Sequence, residues 1–264
     1  MRESRDFLSI DGINLEYELL IPSPDSDTTL VFLHEGLGCL AMWRDFPRRV
    51  AAATGCRTLT YSRAGYGGSD PCPLPRPLTF MHDEGLKVLP QILEAGKIQR
   101  AILVGHSDGA SIALITAGGA AGGNIAGLVL MAPHVFVEEL TIKSIRAAAT
   151  AYQTTDLRGR LARYHGDRVD STFLGWTGAW LDQGFKAWNL EAFLPMIEVP
   201  VLLIQGEEDN YGTLRQLARI QEKLPHGADQ LLLPSCGHAP FRERPVETLQ
   251  AMVGFLEKIL SDAG

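Results

Sequence analysis

The stretch AILVGHSDGASIALITAGGAA (residues 101–121) decides the fold. Four apolar residues run into Gly105-His106-Ser107-Asp108-Gly109, and a series of small and apolar residues follows. This reads as a buried strand, a tight turn and a helix rich in small residues. Gly105 and Gly109 carry no side chain, so the strand can pass sharply into the helix and hold Ser107 out at the carboxyl end of a sheet. Open α/β sheets bind ligands at that end. The free N–H groups of the following helix suit a developing negative charge. A serine hydroxyl is a weak nucleophile near neutral pH, however. It needs a general base within hydrogen-bond reach, and that base needs a group to orient it. Without such partners, G-x-S-x-G also reads as a strand–helix turn with a capping serine.

The flanking sequence repeats the strand–helix rhythm. FLSI and NLEYELLI read as two strands joined at Asp11-Gly12, a hairpin-type turn, and PSPDSD (22–27) reads as a loop. TLVFLH (29–34) is a continuous apolar run, as a strand buried on both faces requires. DFPRRVAAAT (45–54) has helical spacing ended by Gly55, CRTLTYS (56–62) is the next strand, and residues 80–95 are helical with a kink expected at Pro90. IAGLVLMAP (125–133), VPVLLIQG (199–206) and DQLLLP (229–234) complete the strand set. The reading is a doubly wound, mostly parallel α/β sheet of about eight strands.

Residues 134–195 break the rhythm. EELTIKSIRAAATAY and DLRGRLARYH are helical, and the segment holds Trp176, Trp180 and Trp188 of the four tryptophans. We read it as a helical lid inserted into a core made of residues 1–133 and 196–264. Partners for Ser107 lie after later strands: Glu207-Glu208-Asp209 after VLLIQG, and Ser235-Cys236-Gly237-His238 after DQLLLP. The order nucleophile, acid, histidine is therefore available.

FLHEGLG, GHSDGA, GEED and CGHAPFRERP together resemble the α/β-hydrolase family over nearly the whole chain. The resemblance implies Ser107 as nucleophile, His238 as general base and then acid, and Asp209 as its orienter, with Glu207 and Glu208 as alternative acids. It also implies an oxyanion hole made by the backbone N–H of Asp108 and one in the loop after TLVFLH. That second donor is Gly36, or Leu37 if the alignment slips by one residue. Glu35 stands where the family usually has glycine, so it is either a carboxylate near the site or an outlying one. Arg63, in YSRAGYGGSD, replaces an aspartate-led pattern; bracing its loop is the favoured role, and contact with a substrate carboxylate the other. The Asp108 side chain has three candidate roles: complementing the helix dipole, tying down a lid or loop residue, or selecting an amine- or hydroxyl-bearing substrate. If it faces the pocket, it should be angled away from Ser107 or hydrogen-bonded. Lid aromatics over a serine site imply a substrate with an apolar or aromatic part, with Trp176, Trp180, His134, Glu35 and Leu37 as candidate contacts. At least half of those aromatics are expected simply to hold the lid together. Arg158 and Arg163 are further candidates for a polar or anionic group.

Composition narrows the function. The chain has 264 residues, 45% hydrophobic and 21% charged, and a formal net charge of −7 with no basic run. Nucleic acid and anionic membranes are poor partners for it, and no apolar run approaches the length needed to span a bilayer. Cys39, Cys56, Cys72 and Cys236 form no C-x-x-C pair and read as free thiols of a cytoplasmic protein. No phosphate loop, dinucleotide fingerprint or H-E-x-x-H helix is present, so neither cofactor nor metal is expected. A serine, not an aspartate, at the elbow argues against the dehalogenase and epoxide-hydrolase branches. The expected activity is hydrolysis of a small carboxylic ester, thioester or lactone. The alternatives are a carbon–carbon bond hydrolase of aromatic ring-cleavage products, whose members usually carry an apolar residue at the place of Asp108, and a non-enzymatic ligand-binding protein on the same scaffold.

Overall fold

The computed structural model describes residues 1–23, 26–119 and 122–261. Two residues of the 22–27 loop and the last two of the 101–121 run lie outside that set. Among the described residues the strands are β1 (Arg2–Ile10), β2 (Ile13–Ile21), β3 (Thr28–Leu33), β4 (Arg57–Tyr61), β5 (Arg100–His106), β6 (Ile125–Met131), β7 (Val201–Gly206) and β8 (Asp229–Leu233). They form one sheet in the order β1-β2-β4-β3-β5-β6-β7-β8. The pairings β1–β2 and β2–β4 are antiparallel, and every pairing from β4 to β8 is parallel. The β1–β2 turn has Asp11 at φ 49° and Gly12 at φ 80°, the two positive angles that a two-residue hairpin of this twist needs. The first strand begins at Arg2 rather than at Phe7, because pairing with β2 extends over polar residues that carry no hydrophobic signal.

Side chains of a strand point alternately to the two faces of the sheet, and both faces here are covered. Val31, Leu33, Leu103, Leu128, Leu130 and Leu203 pack on one side, with the helix Asp108–Gly118 and the helical turns of residues 80–95. Leu30, Phe32, Ile102, Val104, Val129, Met131, Leu202 and Ile204 pack on the other, with the helices Phe46–Thr54 and Pro245–Ser261. This explains why the central strands read as unbroken apolar runs. The expected kink near Pro90 takes the form of a π-helical turn over Glu84–Val88, just before the helix Leu89–Ala95. Proline supplies no N–H to the preceding turn, so the hydrogen-bond ladder shifts there.

Between β6 and β7 the chain leaves the sheet and forms the helices Glu139–Thr154, Leu157–His165 and Val169–Leu181. Most of this segment's aromatic rings pack on each other: Tyr152 stacks on Phe173 at 3.8 Å and Phe185 on Trp188 at 5.4 Å, while Trp180 meets both Phe185 and Trp188. No helix among the described residues is long and apolar enough to cross a membrane.

The β5–helix junction is the tightest point of the fold. Ser107 has φ 53° and ψ −118°, a conformation that a residue with a side chain adopts only where its surroundings force it. A Cβ added at Gly109 would lie 2.0 Å from the carbonyl oxygen of Leu33, and one at Gly105 2.5 Å from Cα of Ala110. Both obstacles are backbone, with no side-chain rotation available for relief. Gly109→Ala is therefore expected to destabilise the protein by about 3 kcal/mol or more, read as a lower urea midpoint relative to wild type.

Candidate active site

The loops at the carboxyl ends of β3, β5, β6, β7 and β8 converge. Ser107 stands at the end of β5, Asp209 three residues past β7, and His238 five residues past β8. Ser107 Oγ is 3.0 Å from His238 Nε2, and His238 Nδ1 is 2.9 and 2.8 Å from the two Asp209 carboxylate oxygens. A carboxylate only accepts, so Nδ1 carries the proton and Nε2 is left to accept from the serine hydroxyl. Asp209 also accepts from the N–H groups of Tyr211 (2.7 Å) and Gly212 (3.3 Å) and from Gln205 Nε2 (2.8 Å). Burial pushes its carboxyl up, but the hydrogen bond and charge of His238 and the Tyr211 N–H outweigh this and hold it below the usual aspartate range. A hydroxyl, an imidazole and an ionised carboxylate in this order can take a proton off the hydroxyl as it attacks and return it to a leaving group.

The Asp108 N–H opens the helix after Ser107 and so has no partner within that helix. Gly36 lies beside the Asp108 side chain: a Cβ there would be 3.1 Å from Asp108 Oδ2 and 2.2 Å from Trp176 Nε1, so only glycine fits between them. The Asp108 side chain is buried. Its Oδ1 accepts from Trp180 Nε1 at 3.2 Å, whereas Oδ2 has no hydrogen-bond partner among the described residues. It is thus hydrogen-bonded to a residue of the helical segment, the second of its three candidate roles, with one oxygen left over. Burial raises its pKa, against the opposing charge of Arg63 and the Trp180 bond.

Glu35, the residue that departs from the family pattern, folds back over its own loop toward Gly38. Its Oε2 is 3.5 Å from His106 Nδ1, and its Oε1 is 3.8 Å from Arg242. Burial disfavours the Glu35 charge, yet His106 and Arg242 outweigh it and keep the carboxyl well below the usual range. His106 Nε2 in turn donates to the carbonyl oxygen of His238 at 2.7 Å. Glu35 and His106 therefore link the loop after β3, the serine turn and the histidine loop. Leu37 is half-buried, and its carbonyl oxygen accepts from His165 Nε2 at 3.0 Å.

His134 lies after β6, its ring 5.9 Å from that of His238 and 5.6 Å from Trp180. Arg158 does not reach the site: it pairs with Asp170 on the exposed surface, and Arg163 is exposed as well. Three contributors had no motif to announce them. Gln205 is a lone amide in an apolar strand, the one signal that could have revealed it. Tyr211 packs its ring 4.7 Å from His238, and His106 was hidden by its place inside the serine turn.

His134 ties this geometry to pH. Burial, helped by the charge of His238, lowers its pKa to about 3. The unfolded chain takes up that proton near pH 6.5, so the folded group, depressed below it, binds fewer protons in between. Stability from this site is complete above about pH 6.5 and falls as pH drops toward 3, at up to about 1.4 kcal/mol per pH unit. Buried His34 and His165 are lowered too and steepen the slope. His134→Asn should flatten the acid limb by about one proton in urea unfolding followed between about pH 4 and 7.

Comparison with known proteins agrees with this architecture. Residues 30–251 match the model of the alpha/beta hydrolase family. The chain belongs to that family, and it is a hydrolase. It is 24% identical to the sn-1-specific diacylglycerol lipase ABHD11 of Danio rerio, over 93% of this chain and 83% of that protein. Among solved structures it is similar to a bacterial membrane phospholipase A (TM-score 0.78, 20% identity, 97% of this chain and 86% of that one). It is also similar to a carboxylesterase structure from the ammonia-oxidizing thaumarchaeon Nitrososphaera gargenis (TM-score 0.78, 19% identity, 97% of this chain and 100% of that one).

Proposed function

We propose that the chain is a serine hydrolase that cleaves small carboxylic esters, thioesters or lactones through an acyl-enzyme intermediate. Ser107 Oγ attacks the carbonyl carbon while its proton passes to His238 Nε2, and Asp209 stabilises the imidazolium that forms. The N–H groups of Gly36 and Asp108 hold the oxygen that becomes negative. Collapse of the tetrahedral species expels the alkoxide or thiolate, which takes the proton from Nε2. Water then repeats the sequence on the acyl-enzyme and frees Ser107. The observation that carries this reading is the unbroken chain of contacts from Ser107 through His238 to Asp209, at 3.0 and 2.8 Å. A diacylglycerol lipase and a carboxylesterase among the similar proteins favour an ester.

Residues 134–195 act in this reading as a lid over the core. Trp176 packs against Gly36, and Trp180 binds the carboxylate beside the nucleophile. These two indoles, with His134, are the proposed walls for the apolar part of the substrate. A panel of p-nitrophenyl esters, thioesters, lactones and vinylogous diketones tests the choice. Turnover of the acyl substrates, lost in Ser107→Ala, is expected; turnover confined to the diketones would assign carbon–carbon cleavage instead, and turnover of none would remove the ester reading.

A further inference from the structure

Arg63 is 2% exposed, and the acyl-transfer scheme above gives it no step. It follows β4, but its guanidinium reaches across to the loop after β3. Nη1 donates to the carbonyl oxygen of His34 at 2.5 Å and Nη2 to that of Glu35 at 3.0 Å. The Arg63 N–H donates to His34 Nε2 at 3.1 Å, which leaves the proton of that imidazole on Nδ1, where it donates to the Glu35 carbonyl at 2.7 Å. The Gly38 N–H reaches the same carbonyl at 3.1 Å. One carbonyl oxygen therefore takes three donors, and the only full charge among them is Arg63.

The geometry of a peptide bond gives this clamp a consequence. The Glu35 carbonyl and the Gly36 N–H belong to one planar trans unit, so they point in opposite directions. Fixing the carbonyl on the Arg63 side aims the N–H away from Arg63. The second clamped carbonyl, that of His34, lies 2.8 Å from where a Cβ on Gly109 would stand, so the helix that supplies the Asp108 N–H packs on the same stretch of backbone. Arg63 thus registers the two N–H groups to each other from below. Its stacking on the Tyr66 ring, 5.0 Å from the centroid, holds the guanidinium in plane for both carbonyls.

We propose that Arg63 is a positioning residue for oxyanion stabilisation: by gripping the His34 and Glu35 carbonyls it orients the Gly36 N–H toward the substrate oxygen. This rests on the acyl-enzyme reading and goes beyond it, since the grip acts in the transition state and not on the bound substrate. Losing one oxyanion donor costs about 10²–10³ in kcat, and a misplacement of about 1 Å costs up to about 10². Arg63 is also committed to backbone, which removes it from contact with a substrate carboxylate.

The test compares wild type with Arg63→Met, Arg63→Lys and Arg63→Ala. It measures kcat and KM for a p-nitrophenyl ester and the rate of labelling by a fluorophosphonate. Arg63→Met should lower kcat and the labelling rate by about 10²-fold, with KM within about threefold of wild type. Arg63→Lys, which keeps the charge but not the fork, should fall between them. Millimolar guanidinium, but not equal sodium chloride, should restore part of kcat to Arg63→Ala in a saturable way. A folded Arg63→Met or Arg63→Lys with wild-type kcat and labelling overturns the proposal, as does a loss that appears wholly in KM. Those outcomes leave the acyl-enzyme reading standing, whereas a wild type that fails to label at Ser107 overturns both.

Discussion

Ser107→Ala is expected to lower kcat/KM by on the order of 10⁶-fold, and His238→Ala by a similar factor, while the double variant is no slower than either alone. The reason is that neither residue does anything useful without the other. The hydroxyl becomes nucleophilic only as its proton leaves for Nε2, 3.0 Å away. An imidazole without the hydroxyl has no attacking group to serve. The residual rate, about 10³–10⁴ above that in water, should come from the Gly36 and Asp108 N–H groups and from substrate binding. Alanine at 107 must accept the same positive φ as serine, so unfolding curves of the variant should match those of wild type and separate lost chemistry from lost fold. Strictly additive losses in the double variant would contradict the assignment.

The second large effect is at Asp209. Asp209→Asn should lower kcat by about 10⁴-fold with the fold retained. The carboxylate accepts the Nδ1–H hydrogen bond through both its oxygens, which leaves Nε2 as the acceptor for Ser107. An amide nitrogen turned toward His238 would instead donate to Nδ1, move the ring proton to Nε2 and point it at the serine. The imidazole could no longer act as base. The N–H groups of Tyr211 and Gly212 both donate to Oδ1 and favour an oxygen there, which puts the amide nitrogen at the Oδ2 position, 2.8 Å from His238 Nδ1. The lowered pKa of Asp209 adds a stability effect. A carboxyl held below its unfolded value stabilises the fold above about pH 4 and loses that contribution as pH falls through the folded pKa. The loss of activity should therefore be full at neutral pH, where wild-type Asp209 is ionised. Stopped-flow kcat with unfolding curves at pH 7 checks both parts, and a loss below about tenfold would contradict the tautomer argument.

The sheet was legible because its central strands are buried on both faces. Runs such as TLVFLH and IAGLVLM have no competing reading once glycine and proline bound them. The strand edges were less so: β1 begins among Arg2, Glu3 and Ser4, where main-chain pairing alone decides the structure. At the site, Ser107, Asp209 and His238 announce themselves because each sits in a short loop directly after an apolar strand, and the resemblance to a family supplied their order. The contacts around them did not. Arg63 and His34 are 29 positions apart, and His106 and His238 132. Nothing local in a sequence encodes a hydrogen bond from a side chain to a distant carbonyl. Asp108 lies between these cases: its position beside Ser107 was plain, but its bond to Trp180, 72 residues on, depended on how the helix Val169–Leu181 docks. The same docking turns Phe185 onto Trp188 and Tyr152 onto Phe173, in line with the expectation that at least half of these aromatics hold the segment together.

The central claim, that Ser107 is the nucleophile of an acyl-enzyme route, is tested most directly by mass spectrometry after reaction with a fluorophosphonate. Wild type should gain one adduct, and fragmentation should place it on Ser107. Ser107→Ala should gain none, and Asp209→Asn should react far more slowly at the same residue. An unmodified wild type, or an adduct carried by any other side chain, would contradict it.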